Sequence, residues 1–288
     1  MELGLRISDH YGRRAEHERV LQAGEKNFQV WRVEPHVAEK VIDQMLKEHA
    51  IDIIYDALAE KDGAVGKEGT KLTSFTCESG DVYHADVFID GTYEGDLLAA
   101  AGVPFVIGRE GTARYGESLN GVQTNTKFCQ LVVPVDPYIE PGNPSSGLIF
   151  TVTDEPLGQQ GDGDKHIMAF SYRQQLTQDP KNRKLFTKPD DYDVSRYEVY
   201  ARYAQAGGEL HKPRARLPNG KTDLIGTECG LSTSLLGMND TWPTGSRAER
   251  DEITKRTTSF IKGLFYFFAN DERLPVREGF FSLFNNTC

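Results

Sequence analysis

The chain has 288 residues, 38% of them hydrophobic and 26% charged, with a formal net charge of −10, the makeup of a globular protein of about two domains. The acidic balance argues against nucleic acid as a partner, because binding a phosphate backbone relies on lysine and arginine releasing condensed counterions. No stretch approaches the roughly 20 apolar residues that a membrane-spanning helix needs; the densest, Phe260 to Ala269, is interrupted by Lys262.

In chain order, Met1 is followed by Glu2, Arg6, Asp9 and Arg13, so the start does not read as a secretory signal. The compartment stays open, with the cytoplasm favoured. From Glu34 to His49, Val37, Val41, Ile42, Met45 and Leu46 recur at helical spacing, with Pro35 suited to the first turn and Glu34 favourable beside the N-terminal dipole. The spacing predicts an amphipathic helix. Ile51 to Tyr55 follows at once, short and β-branched, and predicts a buried strand.

Between Leu72 and Asp90, two strand-like runs flank Glu78-Ser79-Gly80-Asp81, whose Gly and Asp suit a hairpin reversal. The second arm ends in Val87-Phe88-Ile89, which predicts a strand covered on both faces. Glu94-Gly95-Asp96 then leads into Leu97 to Ala101, a helix with acidic residues at its start and Gly102 as its stop. Past Gly108 the chain becomes rich in Gly, Pro, Asn and Asp, and a domain change is expected near Gly111. Helices are predicted again over Ser195 to Ala206 and from Ser246 onward. There, Ser246 and Glu249 have capping-box spacing, and Ile253, Phe260, Ile261, Leu264 and Phe268 form a core face.

Cys77, Cys129, Cys229 and Cys288 are far apart with no CxxC pair, which predicts free thiols and no metal site. His36 and His84 read as packed or solvated side chains rather than acid–base groups, and no residue is assigned a catalytic role. The sequence has no GxSxG, HExxH or Walker-type motif. Asp162-Gly163-Asp164 reads as a turn rather than as a calcium loop.

The most informative segment runs from Asp86 through Asp90-Gly91-Thr92-Tyr93-Glu94-Gly95-Asp96 to Gly102. Small residues at the carboxyl end of a strand let a large ligand approach the backbone, although an ordinary strand–helix joint would look the same. This segment resembles one found in a family of FAD-dependent oxidoreductases of the two-dinucleotide-fold type, usually with Ala where Gly91 stands. Trp31 to Glu39, Tyr115 to Gln123, Pro141 to Leu148, Pro218 to Leu224 and Gly263 to Asp271 are similar to further landmarks of that family in the same order, over about His10 to Arg277.

The resemblance implies an α/β protein. Residues 1–110 would form an incomplete doubly wound FAD-binding domain with a β-hairpin, and residues 111–288 an α+β substrate domain. It also implies hydride transfer to or from FAD on a small-molecule substrate, polar or of carbohydrate type. The cofactor candidates are Arg32, Glu34, Gly91, Thr92, Glu94, Gly95 and Asp96, and the substrate candidates are Arg109, Glu117, Lys221 and Asp223. Two departures stand out. The strand–GxGxxG–helix unit that holds the FAD pyrophosphate is not found in the 288 residues, Gly108 to Gly116 having the wrong spacing, and Gly279 to Cys288 does not resemble the family's C-terminal part. The expectation is therefore a fragment with weak or absent FAD binding. A noncatalytic remnant or a partner-dependent binding module is the alternative, and a polysaccharide lyase has no paired catalytic residues to support it.

Overall fold

The computed structural model describes residues 2–26, 28–126, 130–177, 179–210, 215–224, 231, 233–274 and 285–286. The chain opens with three helices, α1 (Glu2–His10), α2 (Arg14–Ala23) and α3 (Pro35–Glu48). Their buried faces contribute Ile7, Val20, Val37 and Val41, joined by Val30 from the intervening turn. Helix α3 forms as the spacing predicts, with Glu34 at the N-cap and Pro35 in the first turn, where a missing N–H costs no hydrogen bond.

Next comes a three-stranded antiparallel meander of β1 (Val65–Glu68), β2 (Lys71–Thr76) and β3 (Val82–His84). Strands β2 and β3 form the expected hairpin, with Ser74 opposite His84 and Thr76 opposite Val82. Gly80 takes a positive φ of 93° in the reversal, a conformation cheap only for glycine. Cys77, just after β2, is a buried free thiol, and burial pushes its ionisation up. Cys129, Cys229 and Cys288 lie outside the described residues.

Two strand expectations are corrected. Ile51 to Tyr55 is irregular and open, with Ile54 58% and Tyr55 90% exposed. Val87 to Ile89 is likewise irregular, with Ile89 88% exposed. A β-branched run becomes a buried strand only where a neighbour completes its ladder and another layer covers it. Among the described residues, neither segment has a ladder partner.

Helix α4 (Asp96–Ala100) starts after Gly95 in the left-handed conformation and stops before Gly102. Helix α5 (Thr112–Tyr115) is a single turn. The second sheet pairs β4 (Gln174–Thr177), β5 (Ala215–Arg216), β6 (Lys221–Leu224) and β7 (Asn285–Asn286) in the order β5-β6-β4-β7, with every pairing antiparallel. It packs with α6 (Glu198–Gln205) and α7 (Arg247–Asn270) around the main core, which holds Leu176, Leu224, Tyr197, Tyr200, Phe260, Leu264, Phe265 and Phe267. The Ser246–Glu249 capping box is formed, and the five residues expected on the core face of α7 are all buried.

The fold is thus a mixture of helix and sheet, as expected at the coarser level, and no parallel strand pair occurs among the described residues. No helix among them is long and apolar enough to cross a membrane.

Candidate functional site

The Asp90–Asp96 loop is organised from within. Asp90 accepts hydrogen bonds from the Thr92 amide at 3.0 Å, the Thr92 hydroxyl at 2.6 Å and the Leu98 amide at 3.0 Å. These bonds, the Thr92 hydroxyl foremost, hold its carboxyl below the usual range despite the opposing effect of burial. The Thr92 hydroxyl oxygen in turn accepts the Gly95 amide at 2.9 Å. The two other acids of the loop are fixed by distant residues. Glu94 accepts the Trp242 indole N–H at 2.8 Å. Asp96 takes both terminal nitrogens of Arg250, each at 2.8 Å, the fork geometry in which guanidinium and carboxylate match best. Arg250 also donates to the Trp242 and Pro243 carbonyls at 3.0 and 3.1 Å. The start of α7 therefore grips the loop.

The acids and the hydroxyl of the loop are so occupied, and Gly91, Thr92 and Tyr93 are exposed. A Cβ added at Gly91 would meet nothing within 4 Å, and Tyr93 is fully exposed. Among the described residues, the amides of Gly91, Tyr93 and Glu94 have no acceptor. Such a run of open donors suits an anionic or carbonyl edge of a ligand.

A second polar cluster surrounds Glu34, which is only 2% exposed. Its carboxylate meets Lys221 Nζ at 2.6 Å, accepts Asn219 Nδ2 at 2.6 Å and accepts the Tyr11 hydroxyl at 3.1 Å. Burial by itself would raise its pKa, but these partners outweigh that and hold it below the ordinary 4.5. Asn219 reaches this position from a left-handed φ of 59°, which Asn tolerates better than most residues. Arg32 donates to the Arg216 carbonyl at 3.0 Å, and its own carbonyl accepts from the Arg13 guanidinium.

The remaining substrate candidates have different partners. Asp223 is buried and pairs with Arg173 at 3.1 Å. Arg109 forms an ion pair and a backbone bridge with Asp164. Glu117 accepts Asn120 Nδ2 at 2.6 Å within its own turn. The structure brings Glu34 and Lys221 together and gathers Gly91, Thr92, Glu94, Gly95 and Asp96 into one loop, but these two clusters have no partner in common.

Sequence reasoning missed Tyr11, Asn219, Trp242 and Arg250. The signal for Trp242 is its rarity, as one of two tryptophans; Tyr11 gives none. His36 and His84 are solvent-exposed, and no group of three His, Cys, Asp or Glu among the described residues is placed to hold a metal.

The architecture and the loop define a mixed helix-and-sheet protein with a donor-rich turn pinned from a distant helix. The family described as FAD dependent oxidoreductase matches residues 3–280, and the chain belongs to it. No curated protein and no solved structure matches the chain.

Proposed function

We propose that this chain serves flavin-mediated hydride transfer on a small polar or carbohydrate-type substrate, with the Asp90–Asp96 loop facing the FAD. The observation that carries this reading is the loop itself, whose Gly91, Tyr93 and Glu94 amides are open while its acids are tied to Trp242 and Arg250. FAD supplies the redox chemistry when bound. The chain's part is to offer backbone donors and to fix their placement. Glu94 and Asp96 act as struts for the loop rather than as ligands of cofactor hydroxyls. Arg32 braces the approach to α3 against β5 and the Glu34–Lys221 pair its start against β6, and Arg109, Glu117 and Asp223 remain candidates for the substrate side.

Residues 1–110 are read as part of a doubly wound FAD-binding domain and residues 111–288 as an α+β substrate domain. The open apolar segments at Ile51–Tyr55 and Val87–Ile89 suit strands that find their ladder partners in a fuller sheet. The 288 residues contain no GxGxxG unit, so the FAD diphosphate lacks its usual cluster of helix-start amides and binding to this chain alone is weak.

The test is a flavin absorbance titration followed by desalting. The expected result is a concentration-dependent spectral change that washes away and is diminished by Asp90→Ala. A spectrum indifferent to the protein at every FAD concentration overturns the flavin role, and stoichiometric FAD surviving desalting overturns the weak binding. The same open apolar segments favour a second reading, a binding module that acts only with a partner covering them. Tight FAD binding that appears only in a mixture with such a partner would select it.

A further inference from the structure

His166 lies outside the clusters described above, and both of its ring nitrogens face carboxylates. Nδ1 is 2.5 Å from Asp240 and Nε2 is 3.1 Å from Glu155. Its backbone amide donates to Asp164 at 3.0 Å, and Asp164 is itself paired with Arg109. Two carboxylates thus meet the imidazole while a third, already paired with an arginine, takes its backbone amide, and hydrogen bonding to Asp240, then to Glu155, favours its charged form. With both nitrogens occupied, the ring is not free to take a proton from a substrate.

Asp240 belongs to the short turn Asn239–Trp242, closed by the Trp242 amide on the Asn239 carbonyl at 2.9 Å. On one side this turn is tied to the His166 segment. Asp240 accepts the Ile167 amide at 3.2 Å, buried Asn239 donates to the Met168 carbonyl at 3.0 Å, and Trp242 meets Phe170 edge to face at 4.9 Å. On its other side the Trp242 indole holds Glu94.

We propose that His166 is a positioning residue which, in its protonated form, fixes the Asn239–Trp242 turn and thereby the placement of Glu94 in the Asp90–Asp96 loop. The imidazolium offers one N–H to each carboxylate, and such charge-assisted bonds are roughly twice as strong as neutral ones. Loss of the proton leaves one N–H for two acceptors and removes the positive charge between Asp240 and Glu155. One contact is given up and the other weakens. His166 gains its partners on folding, so its contribution is complete at low pH and is lost as pH rises through the folded-state value, which lies above the ordinary 6.5.

The importance of this device to catalysis rests on the flavin reading, but its test needs no flavin. Trp31→Phe leaves Trp242 as the only tryptophan, and its fluorescence is followed from pH 5.5 to 9, with circular dichroism monitoring the fold. The expected result is a single transition centred above 6.5, abolished by His166→Gln. Glu155→Gln, at a carboxylate 58% exposed, moves the midpoint to lower pH while leaving the fold intact. A transition that persists in His166→Gln, or a folded protein with no transition at all, overturns the proposal. FAD failing to bind would instead count against the flavin reading and leave this titration unchanged.

Discussion

Glu34 is sensitive to substitution of its partners, because its carboxylate is buried and held in the ionised form. Replacing Lys221 with Met leaves that charge without its cation, at an expected cost of about 3 kcal/mol, readable as a lower midpoint in urea unfolding. The pH dependence has a definite sign. The folded-state pKa of Glu34 lies below the unfolded value, so its stabilisation is complete above about pH 4.5 and is lost as pH falls through the folded value. Stability measured against pH should therefore fall less steeply on the acid side in Glu34→Gln than in the parent. An acid limb of unchanged slope would contradict this assignment.

Glu34 was legible in the sequence as an acid at a helix start. Its partners were not, since Lys221 and Asn219 belong to another part of the chain and no local pattern joins them. The same holds for Glu94 and Asp96, whose position at the start of α4 suggested simple dipole stabilisation. Their distant partners, Trp242 and Arg250, make them struts as well.

Among the elements, α7 shows how much a single glycine can decide. Tyr197 donates its hydroxyl to the Phe260 carbonyl at 3.0 Å, and it comes this close because Gly263 has no side chain. A Cβ there would overlap the Tyr197 hydroxyl. In an exposed helix, Gly→Ala would add about 1 kcal/mol of stability. In this aromatic core Gly263→Ala is expected to cost roughly 1–3 kcal/mol instead. Calorimetry should show the loss, and it should be smaller when Tyr197→Phe removes the obstructing oxygen.

Helices α3, α4, α6 and α7 were legible because their information is local, in caps, a first-turn proline and a repeating apolar face, whereas α1, α2 and the single turn α5 were not read from the sequence. The β2–β3 hairpin was legible for the same reason, as its turn chemistry sits between its strands. The segments at Ile51–Tyr55 and Val87–Ile89 have the composition of strands, but strand formation depends on neighbours that composition does not supply. The grip of α7 on the Asp90 loop was invisible for the related reason that it joins residues about 150 positions apart, Arg250 and Asp96 being separated by 154.

Across the whole molecule, several runs of large apolar side chains stay open. Ile51, Ile53, Ile54, Tyr55, Val87, Ile89, Phe105, Val106 and Ile107 are all exposed, and large open apolar side chains in runs of this kind favour binding to other molecules or aggregation. The isolated protein should enhance the fluorescence of an apolar dye such as ANS. Ile54→Ser with Val106→Ser should reduce that signal while changing unfolding stability by no more than about 0.5 kcal/mol per site. A large loss of stability would mean that these residues are packed after all.

The ties between the start of the chain and its second half also bear on how it is made. Asn219 follows Glu34 by 185 residues, and a ribosome adding 5–20 residues per second needs roughly 10–40 s to cover that distance. For that time the nascent helical layer holds a carboxylate whose amide and ammonium partners have not yet been synthesised. The N-terminal helices therefore complete their docking late, leaving a window in which chaperones or proteases can reach them.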